Sequence, residues 1–278
     1  MTDFGPAMPA YSELAPGIRR IVAPNPSMMT GPGTNTYLFG RTEVAVLDPG
    51  PIIESHLRMI QQKAGAPIRW VLVTHTHPDH SPAAVELAQA TGAELLGMPA
   101  PDGAHQDKSF SPHRILADGD SLIVDGVRIE AIHTPGHASN HLCYWQAEMN
   151  WAFTGDHVID GSTVVIDPPD GNMSHYLQSL RRLQDKKCAA LAPGHGELIN
   201  DPDRIIDWIV EHRLEREAKV AVALSNNPNL TSHELVPHVY KDVDKRLYGW
   251  AERSLLAHLL KLEDDGVARL TSERWSEV

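Results

Sequence analysis

His75, His77, Asp79 and His80 fall within six residues, in the stretch VLVTHTHPDH at residues 71–80. Three imidazoles and a carboxylate at this density cannot all find partners in ordinary packing. A divalent cation resolves the conflict, because imidazole and carboxylate are ligands for zinc and equally for manganese or iron. Three more such groups end apolar runs further along. They are His137 after Thr134-Pro135-Gly136, Asp156 after Thr154-Gly155 and His195 after Pro193-Gly194. His75 and His77, two apart in an extended segment, can face one side, and His137 supplies a third imidazole. Three histidines leave one tetrahedral position open, the layout of a catalytic zinc. Asp79, His80 and His195 form a second set, and the Asp156 carboxylate can bridge two cations. Two metals about 3.5–4 Å apart would hold a hydroxide between them, a nucleophile at neutral pH that needs no serine or cysteine. Asp48, at a strand end in Asp48-Pro49-Gly50, is placed to accept a ligand imidazole N–H and orient its ring.

The surrounding pattern says what positions these groups. Residues 68–74 form an apolar run that reads as a buried strand feeding the histidine cluster. Ser81-Pro82 reads as a helix start and Gly92 as its stop, so the cluster sits in the turn between strand and helix. Residues 18–22, 34–39 and 44–47 read as strands, the last two as a hairpin, and residues 52–63 as an amphipathic helix. Residues 121–124 and 127–132 form a second hairpin turned at Asp125-Gly126. Strands follow at 141–146, 151–153 and 189–192, with a helix at 174–186. The irregular stretch 98–118 is long enough to be a surface loop beside a site. Four strand ends therefore deliver metal-type residues, as expected of an α/β protein whose binding groups gather at carboxyl ends of strands. Beyond Asn200 the composition turns helical, with helices at 205–224, 232–240 and 249–262 and a short β-piece at 267–270. The division is residues 1–200 and 201–278.

Composition sets bounds. The chain has 278 residues, 42% hydrophobic and 22% charged, with formal net charge −12. This is a globular composition, and an acidic field disfavours general affinity for DNA, RNA and anionic membrane, while leaving open a nucleic-acid substrate held locally at a metal site. The cysteines, Cys143 and Cys188, both lie in strand-like apolar runs and are expected as buried thiols, not a disulfide. The N-terminal stretch carries neither a basic start nor an apolar segment, and no run reaches the length of a membrane span. A cytoplasmic enzyme is the expectation.

HTHPDH, TPGH, TGD and PGHG, in this order and spacing, resemble the metallo-β-lactamase superfamily over roughly residues 18–200. The resemblance implies a four-layer αββα sandwich with a dinuclear site at one edge. It implies His75, His77 and His137 on one metal, Asp79, His80 and His195 on the other, and Asp156 as the bridge. It further implies that Asp79 handles a proton during turnover. GTNTYLFG at residues 33–40 and HTPGHASNH at residues 133–141, with the helical tail, resemble more narrowly the subgroup carrying a winged-helix-type module. That subgroup includes a mitochondrial endoribonuclease. His141 is then a candidate proton donor or a group supporting the ligands from behind, and Asn35 and Tyr37 are candidates either to polarise a substrate oxygen or to serve the hairpin structurally. His157 is expected to face away from the metals, and most of the remaining histidines to be solvated.

These features point to a hydrolase with two divalent ions, zinc foremost, acting on an ester, thioester, lactone or phosphodiester. RNA cleavage and a non-hydrolytic iron protein of the same fold are the alternatives. A small-molecule substrate is expected. The helix at 249–262 carries only Arg253 and Lys261 as fixed cations, too few for a DNA-reading face. Its leucines at 255, 256, 259, 260 and 262 require burial. The module is therefore expected to wall the metal cleft or to form a homodimer.

Overall fold

The computed structural model describes residues 8–241 and 243–278. The N-terminal expectation rests partly on residues 1–7, which lie outside the described residues. In chain order the first elements are β1 (Tyr11–Ala15), β2 (Ile18–Val22), β3 (Asn35–Phe39), β4 (Val44–Leu47), α1 (Glu54–Ala64), β5 (Ile68–Leu72), α2 (Ala83–Thr91), β6 (Glu94–Gly97) and β7 (Arg114–Ile115). Then come β8 (Ser121–Val124), β9 (Val127–His133), β10 (Leu142–Gln146), β11 (Trp151–Gly155), α3 (Met173–Asp185) and β12 (Ala190–Pro193). The tail holds α4 (Pro202–Asn226), α5 (Ser232–Val239), α6 (Tyr248–Asp264), β13 (Ala268–Thr271) and β14 (Arg274–Glu277).

Two sheets of seven and five strands carry the first part of the chain, ordered β1 to β7 and β12-β11-β10-β9-β8. Alternation along the strands decides what each face meets. In β3, Tyr37 and Phe39 enter the core between the sheets, where both rings meet Phe153 edge-on at 4.9 and 4.6 Å; Leu38 faces the other way, toward α1 and α2. In β4, Ala45 and Leu47 point inward while Val44 and Val46 point to the helices. Strands buried on both faces read as unbroken apolar runs, which is why VAVL lacks a polar face. On the opposite sheet Cys143, Ala152 and Leu191 pack against Tyr176 and Leu180 of α3 and Ile206 of α4. The result is the expected αββα sandwich.

Several local readings are corrected. Ser81 does not cap α2, for that helix has no side-chain cap; its hydroxyl donates to Asp107 Oδ2 at 2.6 Å and ties the cluster to the 98–118 stretch. Cys143 is buried, but Cys188 lies half-buried ahead of β12. Most of the remaining histidines are exposed, as expected, while His56 and His258 are buried. β1 and β14 add strands where the sequence, YSELA and RWSE, shows too few apolar residues to mark them.

The tail is not a separate lobe. Asp201 caps α4 through Arg204 N, with Pro202 in the first turn, so the chain does turn at this point. Yet Ile206, Ile209 and Val210 pack with α3, while Val220 and Leu224, further along the same helix, pack with α5, α6 and Trp275. The packing boundary falls inside α4. Leu255, Leu259 and Leu262 of α6 are buried in the module's own core. The apolar face expected to need the catalytic part or a second subunit is thus absorbed mainly within the module. No helix among the described residues is long and apolar enough to cross a membrane. Burying one aliphatic side chain contributes about 1.5–3 kcal/mol, so ending the chain at Asn200 would forfeit several such terms and bare the α3 face. We expect that truncation to aggregate or to melt well below the full chain; a soluble, fully active protein with an unchanged Tm would contradict this packing.

Candidate metal centre

The two sheets are stitched together at the edge where the motif loops meet. Leu142 N donates to Thr74 O at 2.7 Å, Asn35 N to Gly194 O at 2.7 Å, and Thr34 bridges to His195. These bonds bring the loop after β5 against those leaving β9, β11 and β12. Gly136 lets this happen beside His137: a Cβ there would lie 2.4 Å from Tyr176 Cα, and its φ is +146°. Gly155, at φ +46°, serves Asp156 likewise, since a Cβ would lie 2.7 Å from Thr74 Oγ1 and 2.8 Å from His141 Nε2. Both positions combine backbone that suits glycine with a close approach.

Seven expected ligands converge as two adjoining groups. His75 Nε2 and His137 Nε2 lie 2.9 and 3.0 Å from His77 Nδ1. Tetrahedral ligands at about 2.0–2.1 Å from zinc would be roughly 3.3 Å apart, so these spacings suit one ion. In the other group, His80 Nε2 and His195 Nε2 lie 3.4 and 3.2 Å from Asp79 Oδ2. Asp156 joins the two: Oδ2 is 3.6 Å from His137 Nε2, while Oδ1 is 3.4 Å from His80 Nε2 and 3.3 Å from His195 Nε2. A carboxylate with one oxygen turned to each group is the geometry of a bridge.

The surroundings fix which nitrogen faces a metal. His80 Nδ1 contacts Asp48 Oδ2 at 2.9 Å, His137 Nδ1 contacts Val165 O at 2.7 Å and His195 Nδ1 contacts Gly33 O at 3.2 Å. These oxygens only accept, so each Nδ1 carries a proton and each Nε2 is the atom turned toward a metal. His75 Nδ1 meets Thr74 Oγ1 at 3.0 Å, and that hydroxyl donates onward to Asp48 Oδ2 at 2.7 Å. Asp48 thus orients His80 directly, as the sequence suggests, and His75 through Thr74. The Nε2 atoms of His80 and His195 and Oδ1 of Asp156 are buried and complete no hydrogen bond. Orphaned buried groups of this kind are costly, and a cation in this second group would satisfy all three.

Charge completes the picture. Burial, aided by neighbouring imidazoles, pushes His75 well below the usual histidine range and His77 to about 3. Both are neutral, as a ligand must be. Burial opposes charge on His80 and His195 too, but the Asp79 and Asp156 carboxylates outweigh it, raising His80 well above its usual value and His195 to about 10. Burial alone would raise Asp79 and Asp156; His80 and His195 hold both well below the carboxylate range. A cation entering this second group displaces protons.

Comparison with known proteins agrees. The model of the Metallo-beta-lactamase superfamily matches residues 29–195, and that of the Beta-lactamase associated winged helix domain matches residues 231–275. The chain belongs to the metallo-β-lactamase superfamily. It is 30% identical to a Beta-lactamase-like protein 2 homolog of Drosophila melanogaster, over 95% of this chain and 94% of that one. It is 32% identical to an atrochrysone carboxyl ACP thioesterase of Aspergillus fumigatus, over 80% of this chain and 69% of that one. A β-lactamase domain protein from Burkholderia ambifaria shares the fold at TM-score 0.83 and 21% identity, covering 99% of this chain and 96% of that one.

Within this superfamily frame three expected substrate or proton-transfer residues are corrected. Asn35 is fully buried and its amide donates to Pro193 O and Gly196 O, each at 2.9 Å. The Tyr37 hydroxyl donates to Pro193 O at 2.7 Å, and burial pushes its pKa up. Both clamp the His195 loop, and neither is among the residues lining the cavities beside the ligands. His141 is also fully buried; its Nε2 accepts from Asp156 N at 3.2 Å and its Nδ1 faces Thr134 Oγ1 at 2.9 Å. It positions Asp156 from behind and lines neither cavity beside the ligands. His157 turns away from the metals toward Tyr176, as alternation predicts.

Two cavities flank the ligands, of about 480 and 450 Å³, and His137 and Asp156 line both. The 98–118 stretch walls the first through Asp102 and Gln106, as its length suggested. α6 adds Trp250 and Arg253, which realises the expected wall. Nothing near the motifs announces these two residues. Met29 borders both cavities and Met28 the second; they lie in the loop 23–33, whose Pro/Gly/Met composition signalled a loop but not its place.

Because Asp48 serves His80 directly, Asp48→Asn should weaken one metal more than the other. We expect about 10–100-fold lower affinity for one of two zinc equivalents, read by competition with a chromophoric chelator. Two equivalents bound with unchanged affinities would contradict the role given to Asp48.

Proposed function

We propose that this protein is a thioesterase that hydrolyses acyl thioesters of small or carrier-bound substrates, releasing a carboxylate and a thiol. The observation that carries the reading is the placement of the ligand groups at the junction of two cavities. A thioester has two arms, an acyl group and a thiol-bearing chain, and a scissile carbonyl at His137 and Asp156 leaves one cavity for each. The thioesterase named among the relatives, and the extent of the match with it, support the same class.

His75, His77 and His137 with Asp79, His80, His195 and Asp156 would hold two divalent ions, which would make hydroxide available at neutral pH and polarise the carbonyl. The protein's own work is positional. Asn35 and Tyr37 fix the loop of His195, His141 fixes the backbone of Asp156, and Asp48 fixes His80. Asp79 differs from the other second-group residues. Its side chain is 26% exposed and lines the larger cavity together with His77 and Pro78. An ionised carboxylate there takes the proton from the attacking water and returns it to the departing sulfur.

RNA cleavage is the rival within the same resemblance, and net charge −12 weighs against it. Metal-reconstituted protein should be offered acyl thioesters, a lactone, a β-lactam and single-stranded RNA under one set of conditions. We expect thioester turnover, with Asp79→Ala lowering kcat/KM on the order of 10²–10⁴-fold while the protein stays folded. RNA cleavage without thioester turnover, or near-full activity of Asp79→Ala, would contradict the reading.

A further inference from the structure

Arg253 is the only lysine or arginine among the described residues lining either cavity. The carboxylates around it are mostly committed. Asp79 and Asp156 belong to the ligand groups, and Asp170 Oδ2 accepts from Gln106 and from Ser139 N at 3.1 and 3.2 Å. Asp102 is fully exposed beside Lys108 at 3.6 Å. Arg253 itself contacts Asp167 Oδ2 through one nitrogen, Nη1, at 3.0 Å, with the two side chains 39% and 32% exposed. Its guanidinium carbon stands 4.8 Å from the centre of the Trp250 ring, and Trp250 is 43% exposed. A single-nitrogen, half-exposed pair adds about 0–1 kcal/mol of stability. It leaves most of the five-donor fork uncommitted, and that fork matches a carboxylate or phosphate with two parallel hydrogen bonds.

Resting on the thioesterase reading, we propose that Arg253, steadied by Trp250 and Asp167, anchors an anionic group of the substrate, either a carboxylate on the acyl part or a phosphate on the thiol arm. The second cavity offers no such cation, so this contact also sets which arm lies on the α6 side. An acidic protein thereby admits an anion at one place, with the scissile carbonyl at His137 and Asp156. Asp167 competes with that anion for the guanidinium and makes the site selective for groups that can displace it.

The test uses the full-length, metal-loaded protein and three probes. S-glutaryl- and S-valeryl-N-acetylcysteamine differ by a carboxylate on the acyl part and share a neutral thiol; S-valeryl-4′-phosphopantetheine carries its anion on the thiol arm. The readout is the ratio of kcat/KM for an anionic probe to that for the neutral one. Arg253→Met should lower that ratio roughly ten- to hundredfold, the range of a hydrogen bond to a charged group, and Arg253→Lys should restore part of it. Asp167→Asn breaks the same ion pair but keeps the cation, and should raise the ratio. Whichever anionic probe responds identifies the arm. A ratio unmoved by Arg253→Met, or Arg253→Met and Asp167→Asn shifting it in the same direction, would overturn the anchor and leave a structural pair. If the wild type turns over no thioester, that reading fails separately, and calorimetric binding of glutarate and 4′-phosphopantetheine decides the anchor. At least tenfold weaker binding of one of them to Arg253→Met supports it, and equal binding to variant and wild type overturns it. Single-stranded RNA bound in preference to both, with that binding lost in Arg253→Met, would also overturn it, in favour of a nucleic-acid contact.

Discussion

The Asp156 carboxylate is the constraint on which the rest of the structure depends. It is buried, its two oxygens face two separate groups of imidazoles, and one of them completes no hydrogen bond. Burying a charge this way is unfavourable unless cations share the space. The protein supports the arrangement from behind with contacts that leave Asp156 no freedom. His141 accepts its backbone N–H, Gly155 lets the strand end pass within van der Waals limits of Thr74, and Tyr176 packs where Gly136 has no side chain. Asp48 reaches two ligand histidines, one directly and one through Thr74. The hydrogen bonds that stitch the sheets at this edge therefore serve two ends, closing the sandwich and fixing the distances between ligands.

The tail is part of the same device. α4 begins in the core beneath the five-stranded sheet and ends in the core of the winged-helix module, so it couples the two packings through one rigid element. Arg213, buried midway along it, donates to Val164 O and so contacts the segment that carries the carbonyl partner of His137. α6 then lies beside the cavity with Trp250 and Arg253 facing it. The module thus walls the cleft, and its own core accounts for the apolar face of α6.

The ligand set was legible because metal chemistry imposes types and spacing that packing does not. HTHPDH, TPGH, TGD and PGHG each carry a ligand next to the glycine or proline that turns the chain. Asp48 was legible for a related reason, as an acceptor at a strand end beside the cluster. The failures share a cause as well. Asn35, Tyr37 and His141 have side chains that could serve a substrate, but a sequence does not show that backbone groups of the His195 and Asp156 loops already use them. Arg253 and Trp250 were not legible as cleft residues because their place depends on how α4 directs the module, far from any motif. β14 and β1 escaped notice because edge strands with one exposed face carry few apolar residues.

The central claim is that two cations share Asp156, and anomalous X-ray scattering from crystals of the metal-loaded protein, recorded at the metal's absorption edge, tests it most directly. The account predicts two peaks about 3.5–4 Å apart, one among His75, His77 and His137 and the other among Asp79, His80 and His195, with one oxygen of Asp156 directed to each. A single peak at full metal saturation, or two peaks with Asp156 bound to neither or only one, would contradict it.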